Sequence, residues 1–219
     1  MKFILLIAIL VISFLLGFYT CFSRGSIYQT ARSVSDELKG RGAAQYSKKK
    51  PGLLILGDSL AARGDWRNLQ KKYGTINCGK GGALTSEVFE DSNLSANKNF
   101  KVRAIAILVG TNDIGRQFAI PEILDDYKKL LNEVSEYSEK IFIVSIPLLE
   151  GPGDFDRRPS IAVLNRNLKG LEGEAVKFID WNQILSPDSD ALALEWATDA
   201  LHLKAKAYSL LSKEILKQL

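Results

Sequence analysis

Beyond residue 50 the chain alternates short apolar runs with longer amphipathic stretches. "GLLILG" at 52–57 and "AIAILVG" at 104–110 carry no polar side chain, and "KIFIVSIP" at 140–147 carries few. "TIN" at 75–77 and "VKFID" at 176–180 are shorter runs. Such runs read as strands, the apolar ones buried on both faces. Between them, "DWRNLQKKY", "IPEILDDYKKLLNEV" and "PSIAVLNRNLKGLEG" read as helices, and "KAKAYSLLSKEILKQL" closes the chain as another. In the second of these, Ile120, Ile123, Leu124, Tyr127, Leu130, Leu131 and Val134 fall on one helical face, and Pro121 suits a first helical turn. This alternation predicts an α/β fold, a three-layer α/β/α sandwich round a mostly parallel central sheet.

In such sheets the ligand crevice lies outside the carboxyl ends of the strands. The order of the runs then puts Ser59 after the first strand, Gly82 after the second and Asn112 after the third. Three residues far apart in sequence are expected at one sheet edge. Gly57 lets the chain turn sharply off the first strand, and Asp58 suits hydrogen bonding to nearby backbone N–H groups.

The amino-terminal pattern is different. Phe3 to Phe22 contains no charge, and its length suits a bilayer span of about 20 residues. A membrane anchor is expected ahead of a cleaved signal, because Phe18, Tyr19 and Phe22 crowd the end where a small-x-small site would stand. Lys2 precedes the segment, while Arg24, Arg32 and Lys39 follow it, which mildly favours a cytoplasmic domain. The orientation stays open. The expected organisation is an anchor or signal segment at 1–23, a polar basic linker at 24–50 and a folded domain at 51–219. A short amphipathic helix is possible at 28–38.

Composition narrows the class. Apolar residues make up 46% of 219, enough to fill one core, and charged residues make up 25%. A net charge of +4 is too weak to point to nucleic acid. A single histidine and two cysteines, Cys21 and Cys78, give no metal-ligand spacing and no disulfide framework, so no metal or cofactor is expected. "GTINCGKGG" falls short of a phosphate loop, because Gly81 follows Lys80 where magnesium binding needs Ser or Thr.

Ser59 is the candidate nucleophile. A serine hydroxyl needs a base to take its proton and donors to hold the oxyanion that forms. The only histidine is His202, and Asp199 three residues earlier can orient its ring. The Gly82 N–H and the Asn112 side-chain amide are candidate oxyanion donors. Each residue also has an ordinary reading: a loop histidine beside a capping aspartate, a glycine turn, an Asn-Asp turn. Their shared place at one sheet edge favours chemistry. A nucleophile elbow of the α/β-hydrolase kind is excluded, since Ala61 stands where its second glycine belongs.

"GDSL" at 57–60, "NCGKGG" at 77–82, "GTND" at 110–113 and "DALH" at 199–202 resemble the four blocks of the SGNH, or GDSL, hydrolase superfamily. They stand in the family's order and cover the chain from Leu53 to its end. The resemblance implies a flavodoxin-like fold, with Ser59 as nucleophile, His202 as base and Asp199 as its orienter. It makes Gly82, Asn112 and the Ser59 backbone N–H the oxyanion donors. The implied reaction is hydrolysis of a small-molecule, lipid or glycan ester through an acyl-Ser59 intermediate. Acyl transfer to a glycan hydroxyl is the alternative within enzymes, and a membrane-anchored binding module is the alternative outside them. The resemblance also favours an extracytoplasmic location.

Asp58 and Trp196 are candidate substrate contacts, and residues 150–159 and 188–199 are expected to border the pocket. Arg157 and Arg158 read as solvated loop charges or as contacts to an anionic group. Ile146-Pro147, "LNRNL" and "LHLKAKAY" also look like the family. Ala200, Ala207 and Ala83 depart from it. Ala200 stands where the family often has glycine, so strain is expected there if the loop needs a positive φ.

Overall fold

The three most apolar runs become the inner strands. Their side chains point alternately to opposite faces, and an apolar residue at every position needs a cover on both. A computed structural model describes residues 52–96, 99–149, 156–187, 192 and 194–219. Five strands, β1 (Leu53–Gly57), β2 (Thr75–Asn77), β3 (Ala104–Leu108), β4 (Ile141–Val144) and β5 (Val176–Ile179), form one sheet in the order β2-β1-β3-β4-β5. Every neighbouring pair is parallel. All residues of β1, β3 and β4 are buried, while β5 at the edge is mostly half-exposed.

Alternate residues feed two separate cores. Leu54, Leu56, Ile105 and Ile107 face one of them. It is covered by helix α3 (Val88–Ser92), α5 (Ile120–Ser135) and α6 (Arg158–Lys169), through Val88, Tyr127 and Leu164 among others. Leu53, Ile55, Ala106 and Phe142 face the other. That side is covered by α2 (Arg67–Tyr73), α7 (Trp181–Leu185) and α8 (Ala205–Gln218), through Leu69, Trp181 and Tyr208. The result is the expected three-layer sandwich, with a sheet that is wholly parallel among the described residues.

The α5 helix shows how local sequence sets an element. Ile123, Tyr127, Leu130 and Val134 are buried, one per turn. Pro121 sits in the first turn, and the Glu122 carboxylate accepts from the Ala119 N–H at 3.2 Å, satisfying one donor left over at the helix start.

From β1 the chain runs outward to β2, then returns to β3 and runs the other way to β5. The reversal between β1 and β3 opens a crevice at their carboxyl ends. Two short helices begin there, α1 (Ser59–Ala62) after β1 and α4 (Thr111–Gly115) after β3. The apolar segment 3–22, the linker and its possible helix at 28–38 lie outside the described residues. Among the described residues, no helix is long and apolar enough to cross a membrane.

Candidate active site

The turn after β1 depends on Gly57. Its φ is +144°, and a Cβ there would stand 1.8 Å from the Leu108 carbonyl oxygen. Only glycine fits a backbone held that close to its neighbour. The next residue, Asp58, caps α1, accepting from the Leu60 N–H at 2.8 Å. Asp58 has no exposed surface. Its side chain faces the interior, so the expectation that it touches substrate is corrected: it holds the turn from below. Burial pushes its carboxyl up to about 7, with the charge of Asp113 adding to the rise.

Ser59, at the start of α1, has a backbone N–H with no i−4 carbonyl within the helix to bond. Its Oγ lies 2.9 Å from His202 Nε2. On the other side of the ring, Nδ1 lies 2.9 and 2.8 Å from the two oxygens of Asp199. A carboxylate can only accept, so Nδ1 carries the proton and Nε2 is left to accept from the serine hydroxyl. Arg63 Nη1 also approaches Nδ1, at 3.2 Å. A protonated nitrogen cannot accept from a guanidinium, so this is a close approach of a cation and not a second hydrogen bond.

Local bonds shape the His202 loop. One Asp199 oxygen accepts the backbone N–H of Leu201 and of His202, each at 2.8 Å. Burial works against the charged form of Asp199, but the bonds from Leu201 N–H, the His202 ring and His202 N–H prevail and hold it down at about 2. An antiparallel bridge between Ala197 and Leu203 closes the loop. Ala200 is not among the residues with positive φ, so the strain expected at that position is absent. Ala207 is fully buried in the core beside Tyr208, a place where its methyl group packs.

The loop after β2 brings in Gly82. Asn77 ties it down: its Oδ1 accepts from the Gly79 N–H at 2.9 Å, and its Nδ2 donates to the Ala61 carbonyl at 3.0 Å. Gly82 has φ +81°, nothing stands within 4 Å of where its Cβ would be, and its N–H has no partner among the described residues. Asn112 donates one amide hydrogen to the Ala83 carbonyl at 2.9 Å. That bond orients the side chain and leaves its second N–H available. Asp113 accepts from the Thr85 N–H at 3.2 Å, locking the Gly82 loop to α4. Lys80 is ion-paired to Asp91 at 2.6 Å. The structure therefore brings Ser59, His202 and Asp199 into one hydrogen-bonded row, with Gly82 on the loop after β2 and Asn112 in α4 tied to that loop.

Trp196 is half-buried against the second core, with Lys206 Nζ 4.2 Å above its ring. Residues 150–155, 188–191 and 193, expected to border the pocket, lie outside the described residues. A cavity of about 280 Å³ lies between α6 and α7, lined by Asn165, Arg166, Lys169 and Asn182 among others; none of the five site residues lines it.

Several supporting residues escaped the sequence reading. Tyr208, on α8, donates to the Leu60 carbonyl at 2.9 Å, and the Trp66 indole donates to the Ala61 carbonyl at 2.9 Å. Together with Asn77 they satisfy the end of α1, where helix carbonyls lack partners. Asn165 pairs with both the N–H and the carbonyl of Ile146 at 2.8 Å, fixing the turn that ends β4. The asparagine in "LNRNL" was visible, but its partner was not.

Fold and site together define a class: an α/β protein with a serine, an imidazole and a carboxylate aligned at the carboxyl edge of a parallel sheet. The chain belongs to the GDSL-like lipase/acylhydrolase family, whose model matches residues 55–210. No curated protein matches the sequence. Solved structures are similar in fold. One is a GDSL-like lipase from Bacteroides thetaiotaomicron, with a TM-score of 0.69, 17% identity, and coverage of 84% of this chain and 95% of that one. Another is a lipolytic protein of the G-D-S-L family from Veillonella parvula, with 0.64, 18%, 76% and 96%. A third is an acetylxylan esterase from Geobacillus stearothermophilus, with 0.53, 21%, 78% and 95%.

Proposed function

We propose that this protein is a serine ester hydrolase acting through an acyl-Ser59 intermediate. The observation that carries the reading is the unbroken row from Ser59 Oγ through His202 to Asp199, with spacings of 2.9 Å and 2.8 Å. In the proposed reaction, His202 Nε2 takes the Ser59 proton as Oγ attacks the ester carbonyl carbon. The N–H groups of Ser59, Gly82 and Asn112 Nδ2 stabilise the oxyanion. The tetrahedral species then expels the alcohol, which receives the proton from His202. Water attacks the acyl-serine with His202 again as base, and the acid leaves. Asp199 fixes the ring tautomer and stabilises the imidazolium.

The family supports acyl hydrolysis, and the acetylxylan esterase offers a parallel. That enzyme has been solved as catalytic mutants, one with a serine and one with a histidine replaced by alanine. The charge-free segment Phe3–Phe22 supports a membrane-tethered or exported enzyme. The test is hydrolysis of p-nitrophenyl esters of increasing acyl length by the full-length protein and by Ser59→Ala. Turnover that depends on Ser59 is expected. Equal rates for the two proteins would overturn the reading. Turnover that appears only when a sugar acceptor is added would make the enzyme a transferase.

A further inference from the structure

Three guanidinium groups lie against His202, the Gly82 loop and the Asn112 helix, and none has a carboxylate partner among the described residues. Arg63 Nη1 lies 3.2 Å from the His202 ring. Arg116 ends α4 and reaches back to the Gly82 carbonyl, with Nη2 3.4 Å away. The Arg157 guanidinium lies against Gly115, where a Cβ would stand 2.9 Å from Nη1 and 3.3 Å from Nη2. Gly115 is three residues beyond Asn112 in the same helix, so Arg157 covers the face of α4 that Asn112 shares.

The charges nearby behave differently. Arg67 is paired to Asp65, Lys80 to Asp91 and Arg158 to Asp156. Asp58 and Asp113 are buried and turned away from solvent. Asp199 is committed to the His202 ring and two backbone N–H groups. The Nε of Arg157 is also buried and without an acceptor. Buried donors are nearly always satisfied, so this one lacks an acceptor that the described protein groups do not supply. Guanidinium groups present planar forks that match carboxylate and phosphate oxygens.

We propose that the site selects esters of molecules that also bear an anionic oxygen group, a carboxylate or a phosphate, held by Arg116 and Arg157 beside the oxyanion donors. Arg63 adds positive field next to the base. The inference rests on the acyl-Ser59 reading and narrows its substrate class.

The experiment uses the full-length protein and two matched pairs of acetyl esters. One pair is 1-acetylglycerol and 1-acetylglycerol 3-phosphate; the other is O-acetylgalactose and O-acetylgalacturonate. Within a pair only the anion differs. In at least one pair kcat/KM is expected to be about tenfold or more higher for the anionic ester, the size of one charge-assisted hydrogen bond. The gain should shrink in ~0.5 M NaCl, which screens exposed charges, and should be lost in the Arg116→Gln, Arg157→Gln double variant. If the double variant does not fold, the single variants Arg116→Gln and Arg157→Gln are read instead, and each is expected to lose part of the gain. A gain confined to one pair supports the inference and identifies the anion as phosphate or as carboxylate. Hydrolysis of the neutral esters with no preference in either pair overturns this inference alone. A preference that survives both salt and the double variant overturns the role of these arginines. Turnover no different in Ser59→Ala overturns the hydrolase reading, and the inference with it.

Discussion

The Tyr208 hydroxyl donates to the Leu60 carbonyl across 2.9 Å, joining the helix that follows His202 to the turn that carries Ser59. Trp66 and Trp181 stand edge-on to the Tyr208 ring, with centroids 5.3 Å and 5.1 Å away. Aromatic packing fixes the ring, and the ring fixes the distance between two chain segments far apart in sequence. Tyr208→Phe keeps the packing and removes only the bond. It is expected to cost about 1–3 kcal/mol, because the Leu60 carbonyl loses its donor in a buried place. Denaturant unfolding checks the cost. A variant as stable as the parent would show that the bond holds nothing.

Asp199→Asn should leave the fold intact and cut kcat by up to about 10⁴-fold, the effect of losing the acceptor that sets the imidazole tautomer. Steady-state kinetics at pH 8 with a p-nitrophenyl ester measure it. A loss of less than about threefold would mean that Asp199 does not orient the base.

Asp199 should add no limb to the acid side of the pH profile. An imidazole that already holds a proton on Nε2 cannot take one from Ser59, so kcat/KM falls toward acid pH. Asp199, held down at about 2, stays ionised at every pH above that and adds no limb of its own. A profile of kcat/KM against pH with slope two on the acid side, in the parent and in Asp58→Asn alike, would contradict this assignment.

Asp58 ties stability to pH. Its carboxyl is raised by burial to about 7 in the folded protein, above the ~4 of an unfolded chain. Between those values the folded state holds a proton that the unfolded state has released. The contribution is therefore full below pH ~4 and is lost as pH rises through about 7. Asp58→Asn keeps an oxygen for the Leu60 N–H and removes the titration. The stability difference between parent and variant should drift by up to a few kcal/mol, at about 1.4 per pH unit, against the parent from pH 5 to pH 8. Urea unfolding at the two pH values tests it; parallel behaviour would refute a protonated Asp58.

Gly57→Ala forces a Cβ into the Leu108 carbonyl at a φ of +144°, so neither backbone nor neighbour can yield cheaply. A loss above ~3 kcal/mol is expected, at the upper end for single substitutions. Ala200→Gly is the converse case. Ala200 has no positive φ, so glycine relieves nothing and should lower stability by ~0.4–1 kcal/mol through the unfolded chain's added freedom. Melting temperatures of the two variants decide both points.

The strands, the main helices and the four blocks that carry Ser59, Gly82, Asn112, Asp199 and His202 are legible in the residue order alone. Burial on both faces writes its pattern into consecutive residues, and a turn after a strand writes its glycine where backbones nearly touch. The pairing of Asp199 with His202 was legible for the same reason, being local. Relations between distant segments, which the sheet order brings together, are not written in any one stretch of residues. Asp58 looked like a residue at the crevice, but the direction of the Gly57 turn sends it inward. Asn77, Asn165 and Tyr208 were ordinary polar residues until their carbonyl and N–H partners arrived from other segments. Arg63, Arg116 and Arg157 lie far apart along the chain. They reach the same side of the fold because β1, β3 and β4, which they follow in the chain, are parallel and end at the same edge of the sheet.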